Sequence, residues 1–359
     1  MTAYETTTAT AESKKNSGAD EAYVALALQT TCLAINTCPS VDDARRKIME
    51  NISRVAAQIA SSKAFIGSDC RLVVLPEYFL TGFPMGDTIP AWRDKACFAM
   101  EGPEYAALAK VAQDNRIFLA GNAYETDPAF PDLYFQTCFA IDPSGDIVLR
   151  YRRLNSMFAP TPHDVWEKYL EIYGLEGVFP VARTEIGNLA AIASEEILYP
   201  EIARCMAMRG AEVFLHTTSQ TNEVVRAPKD VTTVARAVEN MGYVVSANSA
   251  GIQGTALPCS SADGGSKIVN YKGLVLAKSG LGESMTAYAD IDLNALRRYR
   301  RRPGMENILS RQRFELYAES YNRFCFYPAD TMGDAPPQRE QFVQNQLDTI
   351  KKLESLGVI

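Results

Sequence analysis

Three short segments carry side chains that could do covalent chemistry together. An apolar run from Arg71 to Leu75 ends in Pro76-Glu77-Tyr78, so Glu77 stands just past the carboxyl end of a buried strand, where α/β folds present functional groups. Burial there would raise a carboxyl pKa and suit Glu77 to general-base work; the alternative is a loop carboxylate bonded to backbone amides. Arg153 follows the strand Ile147 to Arg152 at the mouth of a long loop. Its fixed charge could pair with Glu77 or hold an anion; the alternative is a surface arginine in a basic run. A third strand, Leu189 to Ala193, runs into Ser194-Glu195-Glu196, and Pro200-Glu201 opens a helix, so Ser194 sits on a tight strand-to-helix turn. Such a turn exposes a side chain and aims backbone N–H groups at whatever binds there, which suits an oxyanion hole supported by Glu195 and Glu196. A serine hydroxyl is a poor nucleophile until a base takes its proton, and local capping is the alternative role.

Other chemistries have weaker signals. A Ser-His-Asp triad would need His163 or His216, and neither lies in a telling motif. Gly264-Gly265-Ser266-Lys267 is too short for a phosphate loop, and there is no dinucleotide fingerprint. The 8 cysteines include no C-x-x-C pair and only 2 histidines could join them, so no metal site is expected. The 36 Lys and Arg against 43 Asp and Glu give a net charge of -7, which argues against nucleic acid or acidic membranes as general partners. The basic run Arg297 to Arg302 is a local exception, expected to be a solvated face or a subunit contact. Residues 1–20 are rich in Thr, Ala, Ser and Lys without a signal-peptide core, and no apolar run approaches membrane-spanning length. A disordered leader and a cytoplasmic location are expected.

The elements that must position these residues alternate. Strands are predicted at Tyr23 to Leu28, Arg71 to Leu75, Ile117 to Ala120, Leu189 to Ala193, Val213 to His216, Tyr243 to Ala247 and Met285 to Ile291. Helices are predicted at Val41 to Ser62, Pro103 to Gln113, Pro200 to Arg209 and Val231 to Met241. Hairpins are expected from Tyr134 to Arg152, turned by Asp142-Pro143-Ser144-Gly145, and from Lys267 to Ala277. Two halves of strand, helix, strand, helix and hairpin suggest two sheets face to face with helices outside, over residues 21–302. The stretch Leu154 to Gly177 reads as a loop with a helical piece of the kind that covers a site. Residues 303–359 form a polar helical tail that must pack on the domain or on a partner subunit.

In order and spacing, these pieces resemble the nitrilase-like, or carbon–nitrogen hydrolase, family from about Tyr23 to Asp292. The matching motifs are Leu72-Val73-Val74-Leu75-Pro76-Glu77 with Thr81-Gly82-Phe83-Pro84, Tyr151-Arg152-Arg153, and Ser194 through Arg204. Downstream, Ala235 to Asn240, Tyr243 to Asn248 and Ala289-Asp290-Ile291-Asp292-Leu293 also match. The resemblance implies a four-layer αββα sandwich, a homodimer or larger assembly, no cofactor, and hydrolysis of a small amide, carbamoyl or nitrile-like ligand. It implies a glutamate base at Glu77, and it places Arg153 and Ser194 where the family has lysine and cysteine. The expected mechanism has Glu77 deprotonating Ser194, with Arg153 and the Glu195 N–H holding the oxyanion and an ester as intermediate. His163, Trp166 and Tyr169 in the long loop would contact substrate, and Asp164 or Glu167 would supply any second carboxylate. The alternatives are a ligand-binding protein without hydrolysis and non-covalent acid-base or lyase chemistry in the same pocket.

Overall fold

The computed structural model describes residues 22–221, 228–332 and 338–359; the leader expected over residues 1–20 lies outside them. Two six-stranded sheets form the molecule. The first contains β1 (Ala22–Ala27), β3 (Cys70–Val74), β4 (Phe118–Thr126), β5 (Tyr134–Ile141), β6 (Ile147–Arg152) and β14 (Tyr288–Asp292), ordered β14-β1-β3-β4-β5-β6. The second contains β7 (Ala182–Thr184), β8 (Gly187–Ala193), β9 (Val213–Thr217), β10 (Tyr243–Ala247), β12 (Lys267–Val269) and β13 (Val275–Lys278), ordered β13-β12-β10-β9-β8-β7. In each sheet three parallel strands, β1, β3 and β4 or β8, β9 and β10, are flanked by antiparallel partners. The short strands β2 (Cys32–Leu33) and β11 (Ile252–Gln253) pair parallel beside them.

Strand periodicity decides which side chain faces which layer. Ala25, Ala27, Leu72 and Val74 pack with Leu189, Ala191, Val213 and Leu215 between the sheets. The alternate residues Leu26, Val73 and Leu119 point outward to Ile48, Ile52 and Val55 of α1 (Val41–Ile66) and Leu108 and Val111 of α3 (Pro103–Asn115). On the other side α5 (Pro200–Met208) and α6 (Pro228–Glu239) bury Met206 and Ala237, which completes the four layers. Full burial of each such Leu, Ile or Val stabilises the fold by about 1.5–3 kcal/mol. Helix α1 starts where Ser40 accepts from the Asp43 N–H at 3.1 Å, with Asp42 and Asp43 facing the positive end of its dipole.

Some elements differ from those read in the sequence. The helix α2 (Ile89–Ala96) was not anticipated; eight residues give too little periodicity, and the buried Trp92 against Tyr124 holds it. The basic run belongs to α7 (Leu293–Arg301), where it clamps the chain's own framework rather than forming a purely solvated face. Arg297 pairs with Glu212 at 2.7 Å, and Arg300 donates to the Met241 and Ala211 carbonyls at 2.8 and 2.7 Å. In the tail, α8 (Glu315–Arg323) is exposed, while α9 (Glu340–Ser355) inserts Phe342 into the apolar layer outside the first sheet. Among the described residues no helix is long and apolar enough to cross a membrane.

Candidate active site

Glu77 leaves β3 through Pro76 and is almost completely buried. Its Oε1 accepts from Gln136 Nε2 at 2.8 Å and from Arg153 Nη1 at 3.2 Å. Gln136 in turn accepts from Arg153 Nη1 through Oε1 at 2.6 Å. The carboxylate only accepts and the guanidinium only donates, so the Gln136 amide has one orientation that satisfies both. Sequence reading missed Gln136; its signal is a long polar side chain inside a largely apolar strand, β5, whose residues are all buried.

Arg153 follows β6 and is as buried as its partners. Its Nε donates to the Asn155 carbonyl at 2.7 Å, and its Nη2 pairs with the Glu195 carboxylate. One guanidinium therefore ties together the ends of β3, β5 and β6 and the turn after β8. A cation taken out of water this completely must be matched by such bonds, since its desolvation costs several kcal/mol.

Ser194 is buried with φ +50°, in the left-handed region that a non-glycine residue adopts only when its surroundings hold it there. His216 of β9 supplies part of that hold, with Nε2 2.9 Å from the Ser194 carbonyl oxygen and Nδ1 2.8 Å from Ser246 Oγ. A carbonyl cannot donate, so Nε2 carries the proton and Nδ1 accepts from the serine hydroxyl. Burial pushes the His216 pKa down to about 3, so the ring stays neutral. Glu196, two residues on, accepts from Tyr151 Oη at 2.7 Å and from the Leu154 and Asn155 N–H groups at 2.7 and 2.9 Å. Burial raises its pKa to about 7 against the opposing pull of Arg153 and these donors. Glu196 thus fastens the backbone that follows Arg153 to the turn that carries Ser194.

Lys229, also missed in the sequence, places Nζ 3.2 Å from Ser194 Oγ. Burial lowers its pKa, opposed by the nearby charges of Glu77 and Glu195. It lies in the first turn of α6, two residues before the predicted helix begins, where nothing in the sequence distinguishes it from a connecting residue.

The substrate-contact candidates lie in the expected loop and the start of α4 (Trp166–Val178), tied to the tail. The Asp330 N–H donates to the His163 carbonyl at 3.0 Å, and Thr331 Oγ1 donates to Asp164 at 2.8 Å. His163 packs on Trp166 and Tyr327. Tyr169 faces inward and, with Phe135 and Tyr173, surrounds the Arg152 guanidinium. Among the described residues none of the three hydrogen-bonds with Glu77, Arg153 or Ser194. Asp164 is spent on the Thr161 capping box and Glu167 is exposed, so the carboxylates that join the group are Glu195 and Glu196. Cys138 lies close by against Asn122 and Thr217, but burial pushes its thiol up to about 12.

A cavity of about 240 Å³ is lined by Thr218, Ser246, Asn248 and Lys267 among others but by none of Glu77, Arg153, Ser194 and Lys229, and it meets the group only through neighbouring residues. Thr218 accepts from the Glu77 N–H at 3.3 Å, and Ser246 is the partner of His216. The arrangement gathers a hydroxyl on a strained turn, an amine, a paired carboxylate and a guanidinium within one buried cluster.

Residues 32–301 match the family model described as carbon-nitrogen hydrolase. The chain is 30% identical over 253 residues to a formamidase of Bradyrhizobium diazoefficiens, covering 70% of this chain and 67% of that protein. Among solved structures, a nitrilase-superfamily protein of Saccharomyces cerevisiae superposes with a TM-score of 0.63 at 20% identity, covering 78% of this chain and 93% of that one. A carbon-nitrogen hydrolase of Helicobacter pylori superposes with a TM-score of 0.62 at 22% identity, covering 84% and 98%. With the family model spanning most of the chain and the αββα sandwich shared with these structures, the protein belongs to the carbon–nitrogen hydrolase family.

Proposed function

We propose that this protein hydrolyses the C–N bond of a small amide or carbamoyl compound through an ester on Ser194. The observation that carries the reading is Ser194 held at positive φ beside the Glu77–Arg153 pair, at the carboxyl ends of strands from both sheets. The formamidase relative supports an amide substrate. Ser194 Oγ attacks the carbonyl carbon, the amine leaves, and water releases the acid. Arg153 keeps Glu77 and Glu195 in place, and its charge with the Glu195 backbone N–H stabilises the oxyanion. Serine stands where the family resemblance implies cysteine, and a hydroxyl is a far weaker acid than a thiol of pKa near 8.5. An amide or carbamoyl carbonyl, polarised by the oxyanion hole, therefore suits this site better than a nitrile. The loop with His163 and Trp166 sets substrate choice at the rim, with Tyr169 acting from beneath through Arg152.

The free cysteines fit a reducing compartment such as the cytoplasm. Exposed apolar side chains on the tail, including Leu316, Tyr317, Val343 and Leu347, support a homodimer or larger assembly. The test is ammonia or amine release by purified protein across a panel of small amides and carbamoyl compounds. Turnover that is lost in Ser194→Ala supports the reading. Turnover that survives the change favours non-covalent acid-base chemistry, and tight binding without turnover favours a ligand-binding role, consistent with the many bonds already made by Arg153.

A further inference from the structure

We infer that Lys229, rather than Glu77, is the base that takes the Ser194 hydroxyl proton. This rests on the ester reading above. The contact is direct, with Nζ 3.2 Å from Oγ, and the helix that carries it is fastened to the serine turn. Arg236 Nη2 donates to the Leu198 carbonyl at 3.0 Å, and Thr233 Oγ1 donates to the Lys229 carbonyl at 2.6 Å. The neighbouring Asp230 pairs with Lys267, so its charge is answered on the cavity side.

Glu77 is poorly placed for the same task. Its Oε1 already accepts from Gln136 and Arg153, and among the described residues no hydrogen bond joins it to Ser194. Among the described residues, charged neighbours pull the lysine's proton affinity both ways. Glu77 and Glu195 favour the ammonium, Arg153 opposes it, and the neutral His216 lies on the strand below. Desolvation is the largest influence and lowers the Lys229 pKa, which increases the fraction of free amine near neutral pH.

The neutral amine accepts the Ser194 proton as Oγ bonds to the amide carbon and the C=O π pair moves onto oxygen. The resulting ammonium gives that proton to the substrate nitrogen, the C–N bond breaks, and the amine departs. Water then loses a proton to Lys229 as it attacks the ester, and the returning proton restores the Ser194 hydroxyl. The sum is amide plus water giving acid plus amine.

The test follows phosphonylation of Ser194 by a fluorophosphonate probe, read by intact mass from neutral to alkaline pH. It compares wild type with Lys229→Met, Lys229→Arg and Glu77→Gln. Both Lys229 changes are expected to slow labelling by about 100-fold or more and to abolish its one-proton rise with pH, because arginine keeps the charge but cannot act as base. Wild-type labelling in Lys229→Arg would overturn the inference, as would a pH rise lost only in Glu77→Gln. A second measurement does not depend on serine reactivity: alkylation against pH of the thiol introduced by Ser194→Cys, with and without Lys229→Met. The thiol is expected to ionise about one pH unit lower when Lys229 is present. Equal midpoints overturn the Lys229 inference alone. Separate midpoints with a wild-type serine that resists the probe overturn the ester reading, and the base role falls with it.

Discussion

Arg153 and Glu77 form a buried ion pair, Nη1 to Oε1 at 3.2 Å, and both are bonded to the single amide of Gln136. Because the pair is dry, its members depend on each other more than a surface pair would. Arg153→Met leaves the buried Glu77 carboxylate without its cation and is expected to destabilise the protein by about 3–5 kcal/mol in chemical denaturation. Arg153→Lys keeps one charge and should lose less. A cost in Arg153→Met no larger than that of an exposed pair would contradict the clamp.

Glu196 gives a pH signature. Its pKa rises from 4.5 unfolded to about 7 folded, so the folded state holds the proton more tightly. The associated stability is fully present below pH 4.5 and is lost as pH rises to about 7, a loss of order 3 kcal/mol. Glu196→Gln removes the titration while keeping a polar amide. The stability difference between variant and wild type should therefore slope over that window and flatten above it; a difference independent of pH would refute the burial account.

His216 acts in the opposite sense. Its pKa falls from 6.5 to about 3, so stability is present above pH 6.5 and is lost as pH falls toward 3. His216→Gln should remove that acid-side loss. The protein is also expected to lose about 1–3 kcal/mol at neutral pH if the Ser194 carbonyl is left without its donor. The two slopes overlap, so they are separated by comparing the single variants with the double variant.

The native thiols should divide by burial. Cys325 is exposed, whereas burial pushes Cys32 and Cys138 up to about 12. Iodoacetamide at neutral pH should label Cys325 and spare the other two until the protein unfolds. Rapid native labelling of Cys138 would reopen the question of a cysteine nucleophile.

Where local chemistry decides the structure, the sequence is transparent. The hairpin β5–β6 lies where its turn residues predict, because Asp142 Oδ1 accepts from the Ser144 and Asp146 N–H groups at 2.8 and 3.0 Å. Strand β4 is longer than read, since Gly121 and Asn122 interrupt its apolar run although both lie on buried surfaces. Within the site, Glu77 and Ser194 are legible because each ends a strand. Gln136 and Lys229 are not, because their importance comes from contacts with residues 59 and 35 positions away in the chain. Tyr169 looked like a pocket residue by position, yet its ring is committed to the Arg152 guanidinium, 5.7 Å away.

The most direct test of the central claim is intact-mass and peptide mass spectrometry after rapid acid quench of the protein turning over a small-amide panel. An acyl adduct on the peptide containing Ser194, absent from Ser194→Ala, is the predicted result. Turnover that continues in Ser194→Ala with no adduct at any quench time would contradict it.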